Sequence, residues 1–530
     1  MAASSSSGAS SGASSAADPT VTISLGHTSI EDVVAIARGA RVEIAQDALD
    51  GMLLTHDLVG QVLASGQPVY GLTTGVGDQY SVAVDPDGIA EAQLGMLRSH
   101  ASGVGAPHDE EAVRAIMATM IVALAQGASG VSPRLVLTLA ELLNRGVTPW
   151  APSQGSVGYL TATAHIGLSL YGLGKSWFEG ELLPGAEALR RAGVESFTPG
   201  PREGHALVSG TYEISGLGAL ALHRARALVA IADAAGALSL EALRGNSKGY
   251  DPRLQRMRPH PGQIDTAARL LQLLDGSEIL EANRDHRLQD ALSLRCIPQV
   301  HGSVRDAIDF AWRTLDIEIN SVTDNPVFVV EDGELIALPG GNGHGAPAAV
   351  ALDVLAIAIA ELSTMSQARS DRLTNRHLSE LPPFLVTGGG AGSGFMIPPY
   401  VAAALAGENR ALAAPATVHT VSTCAGQEDH VSMGTTAAIQ ARTAARNVAN
   451  ILAIELLCAA QAIDFHAPLR PGRGTGAVYD AIRSVVSVRE DDREMSPDLE
   501  AVLALVDDGT LSTIISTHTS TPAPEGNDHD

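Results

Sequence analysis

The chain has 530 residues, enough for a large buried core, and its net charge is −25. This acidic balance argues against nucleic acid or an anionic membrane as the main partner, because both require a basic surface. Hydrophobic residues make up 45% of the sequence and aromatic residues only 3%, so small aliphatic side chains must do most of the packing. Cys296, Cys424 and Cys458 are widely spaced, which suits a reducing compartment and fits neither a disulfide framework nor a zinc site.

Both ends of the chain predict tails. Residues 1–20 are rich in Ser, Ala and Gly and have neither a basic start nor an apolar block, so we expect a disordered tail and no secretory signal. Residues 517–530 predict a second disordered tail. No apolar run has both the length and the lipid-facing character of a membrane span. We therefore expect a soluble, cytoplasmic protein.

Between the tails, the sequence predicts a mainly α fold. Residues 21–200 mix short helices with Gly-rich turns, and residues 70–77 have too many glycines for a helix and predict a loop. Residues 201–480 predict a bundle of long helices, and residues 481–516 predict further C-terminal helices. Apolar residues recur at helical spacing in four segments, namely residues 216–243, 346–368, 399–414 and 436–462. The best strand-and-turn signal is residues 327–330 before Asp332-Gly333.

Four polar clusters interrupt sequence that otherwise packs. They are Tyr70 with its glycines, Ser99-His100, Gln289-Asp290 with Arg295, and Gln427-Glu428-Asp429-His430. Three of them have a structural alternative: His100 as a solvated or satisfied histidine, Arg295 as the salt-bridge partner of Asp290, and residues 427–430 as a helix start favoured by the helix dipole. The histidines lack metal-ligand spacing, so we expect no metal.

Longer motifs surround these clusters and follow one another along residues 24–515. They are Tyr-Gly-Leu-Thr-Thr-Gly at 70–75, Ser-His-Ala-Ser-Gly at 99–103, Gly-Ser-Val-Gly at 155–158, Ser-Leu-Arg-Cys at 293–296, Asp-Asn-Pro at 324–326, Leu-Pro-Pro-Phe-Leu at 381–385, Ser-Gly-Phe-Met-Ile at 393–397, and Gln-Glu-Asp-His-Val-Ser-Met at 427–433. In wording and order they resemble histidine ammonia-lyase, of the aromatic amino acid lyase superfamily. The resemblance implies a long-helix bundle of that type and a homotetramer with active sites shared between subunits.

The resemblance also implies roles for particular residues. Tyr70 matches the family's catalytic base, and Glu428 matches its acidic site residue. Arg295 matches the clamp on the substrate carboxylate, to which a planar guanidinium can donate two charge-assisted hydrogen bonds. His100 matches the selectivity position. The remaining candidates for substrate binding are Gln289, Tyr159, Ser209, Tyr212, Asn325 and Tyr400.

The sequence departs from the family pattern at one stretch. Family members place Ala-Ser-Gly after Gly-Ser-Val-Gly, and the tripeptide cyclises into the electrophile 4-methylideneimidazol-5-one (MIO). Here Tyr159 follows Gly158 directly, and the matching stretch up to His165 is shorter by three residues. Two other Ala-Ser-Gly stretches, at 101–103 and 128–130, match by letters only and are not expected to cyclise. Three positions that face the cofactor or substrate also differ, namely Ser209, Leu292 and Gly343. These differences predict an enzyme without a cofactor.

An elimination without an electrophile requires a better leaving group than ammonia. A quaternary ammonium group leaves as a neutral amine, and ergothionases release trimethylamine from ergothioneine in this way. The leading hypothesis is therefore MIO-independent release of trimethylamine from such a betaine, with Tyr159 and Tyr212 near the cation. Against it, lysine, the expected proton donor, occurs only at Lys175 and Lys248, outside the matching motifs.

Two other functions stay open. One is a different elimination, addition or isomerisation on a small carboxylate substrate. The other is a non-catalytic tetrameric scaffold or small-molecule binding protein. The presence of Tyr70, Arg295 and Glu428 argues against the scaffold, because a scaffold needs none of them.

Overall fold

The structure is a computed structural model that describes residues 19–387 and 392–519. Its α-helices are α1 (Ile30–Ala37), α2 (Gln46–Ser65), α3 (Ile89–His100), α4 (Glu110–Ala125), α5 (Pro133–Arg145), α6 (Thr161–Leu170), α7 (Gly185–Ala192), α8 (Glu203–Val208), α9 (Tyr212–Ala242), α10 (Pro252–Arg256), α11 (Pro261–Leu273), α12 (Glu278–Ala282), α13 (Leu292–Arg295), α14 (Ile297–Ile319), α15 (Ala346–Thr374), α16 (Arg376–Ser379), α17 (Pro398–Leu412), α18 (Gly434–Asp464), α19 (Arg473–Val485), α20 (Ser496–Asp507) and α21 (Thr510–His518). This confirms the mainly helical fold with long helices.

The strands are short and form four small sheets. They are β1 (Thr20–Ile23), β2 (Arg41–Ile44), β3 (Val104–Pro107), β4 (Thr148–Pro149), β5 (Pro152–Gln154), β6 (Lys175–Phe178), β7 (Glu181–Pro184), β8 (Val327–Glu331) and β9 (Glu334–Leu338). Strands β1 and β2 are parallel, whereas the pairs β3–β5, β4–β6, β6–β7 and β8–β9 are antiparallel. The hairpin β8–β9 confirms the sequence signal, since Asp332 and Gly333 both take the positive φ that a tight hairpin turn requires.

The centre of the molecule is a bundle of α9, α14, α15 and α18, and α4 packs against α9. The four segments with helical periodicity correspond to α9, α15, α17 and α18, which confirms those predictions. One hydrophobic core extends from Ile23 to Ile515 and is built largely of Ala, Leu, Ile and Val. These small side chains let helix axes approach closely, as the composition suggested.

A buried ion pair ties three of the central helices together. The Arg369 guanidinium on α15 donates to both carboxylate oxygens of Glu455 on α18, at 2.6 and 2.9 Å, and Ser239 on α9 donates to the same carboxylate at 2.7 Å. Both charged side chains are fully buried. Because an unpaired charge at this depth would be costly, the pair specifies how the helices align.

Three segments are long and apolar enough to cross a membrane by length and composition alone: Glu203–Ala242, Ala346–Thr374 and Gly434–Asp464. In each of them, 61–83% of the apolar window is buried inside the fold. Length alone therefore does not indicate a membrane span in these three segments. Packing within the central bundle accounts for the apolar composition instead.

The predicted tails lie mostly outside the described residues. Residues 1–18 and 520–530 are not described, as is also true of residues 388–391. At the first boundary, Thr20 already begins β1. At the second, α21 continues to His518, so residues 517 and 518 are helical and the predicted boundary at 517 is too early.

Glu241, near the C-terminal end of α9, makes stability depend on pH. Its side chain is fully buried and accepts the Gly472 N–H at 2.7 Å, and burial raises the pKa of its carboxyl from 4.5 to about 7. The folded state thus binds the proton more tightly than the unfolded chain, and this contribution to stability is lost as the pH rises from 4.5 through 7.

Glu241→Gln keeps an oxygen acceptor for Gly472 and removes the titration of this side chain. Relative to wild type, we expect a gain in the free energy of unfolding on the order of 3 kcal/mol above pH 7, shrinking towards zero near pH 4.5.

Denaturant unfolding at several pH values checks this expectation. Glu490→Gln, at an exposed position, is the control and should show no such pH-dependent difference. An E241Q variant whose stability difference from wild type is the same at pH 5 and pH 8 would contradict the assignment.

Candidate active site

Four of the predicted residues, Tyr70, His100, Tyr159 and Glu428, lie in one region, here called the Tyr70 cluster. Tyr159 is close enough to Tyr70 and Glu428 for both to raise the pKa of its phenol. The Tyr70 ring lies 5.7 Å from the ring of His205, whose pKa is in turn lowered by His100. A cavity of about 330 Å³ beside the Tyr70 loop is lined by His100. The single chain therefore brings together residues that are far apart in sequence.

Tyr70 lies in the predicted Gly-rich loop, after α2. Its phenol oxygen accepts the Gly77 N–H at 3.0 Å, and a donor at that oxygen stabilises the negative charge that a tyrosine base must carry. The glycine after it is required by sterics, because a Cβ on Gly71 would lie 2.2 Å from Nδ1 of His205, and Gly71 also has a positive φ of 63°. The glycines thus let the loop pass directly over His205.

Tyr159 lies between β5 and α6 and is half-buried. Burial, with a smaller contribution from the neighbouring Glu428 carboxylate, raises the pKa of its phenol to about 12. Tyr159 therefore keeps its proton near neutral pH. It can donate a hydrogen bond to a ligand in the cluster but cannot serve as a base there.

Glu428 lies in an irregular segment rather than at a helix start, so that structural alternative is wrong. Helix α18 begins only at Gly434. The Thr423 N–H donates to the Glu428 carbonyl at 2.8 Å, and the Thr423 hydroxyl donates to the Glu428 carboxylate at 3.4 Å. This local pairing folds the segment back on itself and directs the carboxylate towards Tyr159.

Sequence reasoning missed the buried group behind Tyr70. Arg202 is fully buried and donates to His205 and, at 2.6 Å, to Asp324. Burial lowers the pKa of His205 well below 6.5, and the Arg202 charge acts in the same direction, so the imidazole is neutral. The sequence signal that could have indicated this buried group is the polar stretch Arg202-Glu203-Gly204-His205, shortly before the long apolar helix α9. Cys424 was also missed: its thiol lies 2.6 Å from the place where a Cβ on Gly77 would lie.

His100 ends α3 with its ring partly exposed. Its Nδ1 lies 2.8 Å from the Met96 carbonyl and 3.1 Å from the Ser99 hydroxyl. A bond to the carbonyl requires the proton on Nδ1, which leaves Nε2 as an acceptor. Nδ1 of His100 is therefore hydrogen-bonded within the protein, as the structural alternative suggested, while Nε2 can still accept a hydrogen bond from a ligand.

Arg295 lies in a second cavity, of about 460 Å³, together with Gln289. Its guanidinium donates to the backbone carbonyl of Asp290 at 2.6 Å, whereas the Asp290 carboxylate accepts the Asn246 N–H at 2.6 Å. In the described part of the chain, Arg295 therefore contacts the backbone carbonyl of Asp290 and not its carboxylate, so the alternative of a salt bridge with Asp290 is wrong. Lys248, which the motif comparison had set aside, lines the same cavity. The cavity offers cationic donors to an anionic ligand.

The other predicted substrate residues do not join either cavity. Ser209 is buried and its hydroxyl accepts the Asn325 N–H at 3.2 Å, while the Asn325 side chain accepts the Gly340 N–H at 2.9 Å. Tyr212 is buried, and its hydroxyl donates to the Ala206 carbonyl at 3.0 Å, so it is used within the core. Tyr400 on α17 is 69% exposed. In one chain, none of these side chains meets the Tyr70 cluster.

The sequence matches known proteins over almost its whole length. The family model "Aromatic amino acid lyase" matches residues 28–484. A histidine ammonia-lyase of Gloeobacter violaceus is 45% identical over 91% of this chain and 95% of its own length. One of Caldanaerobacter subterraneus subsp. tengcongensis is 42% identical over 93% of this chain and 98% of its own. The chain belongs to the aromatic amino acid lyase family, a class of carbon–nitrogen lyases.

Solved structures agree with this assignment. The crystal structure of histidine ammonia-lyase from Trypanosoma cruzi superposes with a TM-score of 0.88 at 37% identity, covering 94% of this chain and 96% of that one. The ergothionase from Treponema denticola superposes with a TM-score of 0.86 at 29% identity, covering 93% and 99%. Both therefore share the fold, and the histidine ammonia-lyase is the more similar in sequence.

These findings correct the functional prediction. Assignment to an ergothionase-like lyase that releases trimethylamine is wrong, because the relatives that are 40–45% identical over most of the chain are histidine ammonia-lyases. The prediction of no cofactor is wrong on the same ground, since enzymes of that name work with MIO. The sequence nevertheless has Tyr159 directly after Gly158, and helix α6 begins at Thr161, so the precursor tripeptide does not lie at this position. The residues in this stretch do not fit the group.

Proposed function

We propose that this protein is an amino acid ammonia-lyase that acts on histidine, or on a closely similar amino acid, and works in the cytoplasm as a homotetramer. The observation that carries the proposal is the identity of 40–45% with histidine ammonia-lyases over most of the chain. The geometry of the Tyr70 cluster supports it, as does the Arg295 guanidinium, which uses one N–H on the Asp290 carbonyl and has others left for a ligand. Together they supply the base and the carboxylate clamp that the reaction needs.

In this mechanism each residue has one task. Arg295 binds the substrate carboxylate through two charge-assisted hydrogen bonds. Tyr70, whose oxygen accepts the Gly77 N–H, removes the β-proton. The electron pair of that C–H bond forms the new double bond, and the C–N bond of the protonated amino group breaks with its pair on nitrogen, so that neutral ammonia departs and Tyr70 keeps the β-proton. His100 and Glu428 hold the substrate ring, and Tyr159 donates a hydrogen bond because its phenol stays protonated.

The arrangement supports a site shared between copies of the chain. The cavity beside the Tyr70 loop and the cavity of Arg295 have no lining residue in common. At the second cavity, the Leu288 side chain is 100% exposed and Leu292 is 60% exposed. Large apolar side chains left this open favour burial against another copy. An assembly would then place Arg295 of one copy opposite Tyr70 of another.

A substrate panel on the purified protein tests the proposal. Histidine, phenylalanine and tyrosine are compared with hercynine and ergothioneine, following the ultraviolet absorbance of the conjugated acrylate and the amine released. We expect ammonia and an acrylate in equal amounts from histidine, with little turnover of the betaines. Trimethylamine from a betaine and no ammonia from any primary amine would overturn the proposal. A β-amino acid product would instead identify an isomerase on the same scaffold.

A further inference from the structure

A buried polar chain connects the loop that carries Tyr159 to a carboxylate in the core. On α9, Glu213 has one carboxylate oxygen 3.0 Å from Nε2 of His108 and accepts the Thr435 hydroxyl of α18 at 3.0 Å with the other. The Thr435 hydroxyl lies 2.9 Å from that of Ser156, in the loop. The side chains of His108 and Glu213 are 4% and 1% exposed, and Thr435 is buried as well. None of these contacts has a part in the reaction described above.

Hydrogen-bond chemistry fixes the direction of this chain. Thr435 donates to Glu213, so the single proton of the Thr435 hydroxyl is used in that bond. The 2.9 Å contact between the two hydroxyls is then a hydrogen bond from Ser156 to Thr435, and the Tyr159 carbonyl, 3.3 Å from the Ser156 oxygen, is the more distant acceptor for the same proton. The Ser156 oxygen in turn accepts the Gly158 N–H at 3.3 Å. The donors thus point in one direction, from the loop backbone to the carboxylate. Hydrogen bonds aligned in this way polarise and strengthen one another in a buried setting.

The loop needs such an anchor because its backbone is strained. Leu160, directly after Tyr159, has a φ of 87°, a region that a branched side chain rarely adopts. Strain of this kind persists only where the surroundings hold it. The described contacts that do so include the polar chain and a hydrogen bond from the Met433 N–H to the Val157 carbonyl at 2.8 Å. These two contacts reach the loop from neighbouring positions at the start of α18, Met433 and Thr435.

We infer that Glu213 is a positioning residue for the active site: acting through Thr435 and Ser156, it holds the Tyr159 loop against the Tyr70 cluster. Glu213 touches neither Tyr159 nor Tyr70 and acts only through the hydroxyls between them. The inference rests on the proposed function for its catalytic consequence, but the restraint on the loop is a separate physical claim. Without the chain, the backbone at residues 155–160 would relax and Tyr159 would leave its place beside Glu428 and Tyr70.

The test compares Thr435→Val with Thr435→Ser. Valine has the shape of threonine without the hydroxyl, whereas serine keeps the hydroxyl. Hydrogen exchange followed by mass spectrometry is read at residues 155–160 and, as a reference, in the second half of α18. We expect amide exchange at 155–160 to be roughly tenfold to a hundredfold faster in T435V, with α18 unchanged and T435S close to wild type. In turnover, kcat should fall in T435V with a smaller change in KM, and T435S should restore it.

Ser156→Ala provides a second variant, since Ser156 is only half-buried and its loss disturbs the core less. If the polar chain acts as a unit, S156A and T435V together should speed exchange no more than T435V alone. Unchanged exchange at residues 155–160 in T435V would overturn the inference, as would an equal increase throughout α18. If the exchange results hold and no variant or wild type releases ammonia, the positioning stands and the proposed function fails.

Discussion

Replacing Tyr70 with phenylalanine is expected to lower kcat for ammonia release by roughly 10²- to 10⁴-fold, with little change in KM. The phenol oxygen is the only atom removed, and it is the atom that accepts the Gly77 N–H at 3.0 Å and takes the β-proton. The ring stays in place against His205, 5.7 Å away, so the loop should keep its fold. Steady-state kinetics on histidine measures the effect.

Tyr80→Phe is the matched control for this substitution. Tyr80 follows the same loop but is 54% exposed, and its backbone N–H bonds to Gly77 independently of the side chain. Removing the Tyr80 hydroxyl should therefore leave kcat unchanged. A Y70F enzyme that kept most of the wild-type kcat would remove Tyr70 from the role of base.

Replacing Arg295 with glutamine is expected to lower kcat/KM by roughly 10²- to 10³-fold, mostly through a higher KM. One N–H of the guanidinium donates to the Asp290 carbonyl, and the others can donate to the substrate carboxylate. Glutamine cannot replace two charge-assisted bonds. Arg295→Lys keeps the charge without the planar guanidinium, so its kcat/KM should lie between those of wild type and R295Q.

A ligand without a carboxylate tests whether the effect of Arg295→Gln arises at the substrate carboxylate. Binding of histamine, which lacks that group, should be equally weak in wild type and R295Q, whereas binding of histidine should weaken only in the variant. Arg256→Gln, on the exposed face of α10, is the control and should change neither. Equal loss of histidine and histamine binding in R295Q would show that Arg295 supports the fold rather than the carboxylate.

Much of this architecture can be predicted from local sequence. Helices α9, α15 and α18 are predictable because apolar residues repeat at helical spacing over more than seven turns. The Tyr70 loop is predictable because its glycines exclude a helix, and Gly71 is in fact needed where the loop crosses His205. These features depend on near neighbours in the chain, which is what periodicity and composition report.

Other features depend on contacts that sequence spacing does not show. The sequence around Glu428 fits a helix start equally well, and only the pairing with Thr423 places its carboxylate beside Tyr159. Arg202 lies in a charged stretch and Glu213 at the start of an apolar helix, and sequence spacing does not show that each anchors a buried polar network. Tyr212 was predicted to face a cation because of its aromatic ring, but its hydroxyl bonds to Ala206 inside the core.

The functional prediction failed for a different reason. It gave one short stretch, Gly158-Tyr159, more weight than the similarity of the rest of the chain. An intact mass of the purified protein addresses this stretch directly, because cyclisation of Ala-Ser-Gly releases two waters. A mass two waters short would place the ring at one of the chain's own tripeptides, of which residues 101–103 lie against Pro152 and Thr161. A full mass together with ammonia release would show elimination by another route.

Co-expression of Y70F and R295Q chains tests most directly whether one carbon–nitrogen lyase site joins Tyr70 of one copy to Arg295 of another. Each variant alone is expected to be almost inactive. In mixed assemblies a share of the sites receives both intact residues, so ammonia release from histidine should return to about a quarter of the wild-type rate when the chains assort at random. Mixed assemblies that stay as inactive as the single variants would contradict the shared site and the mechanism built on it.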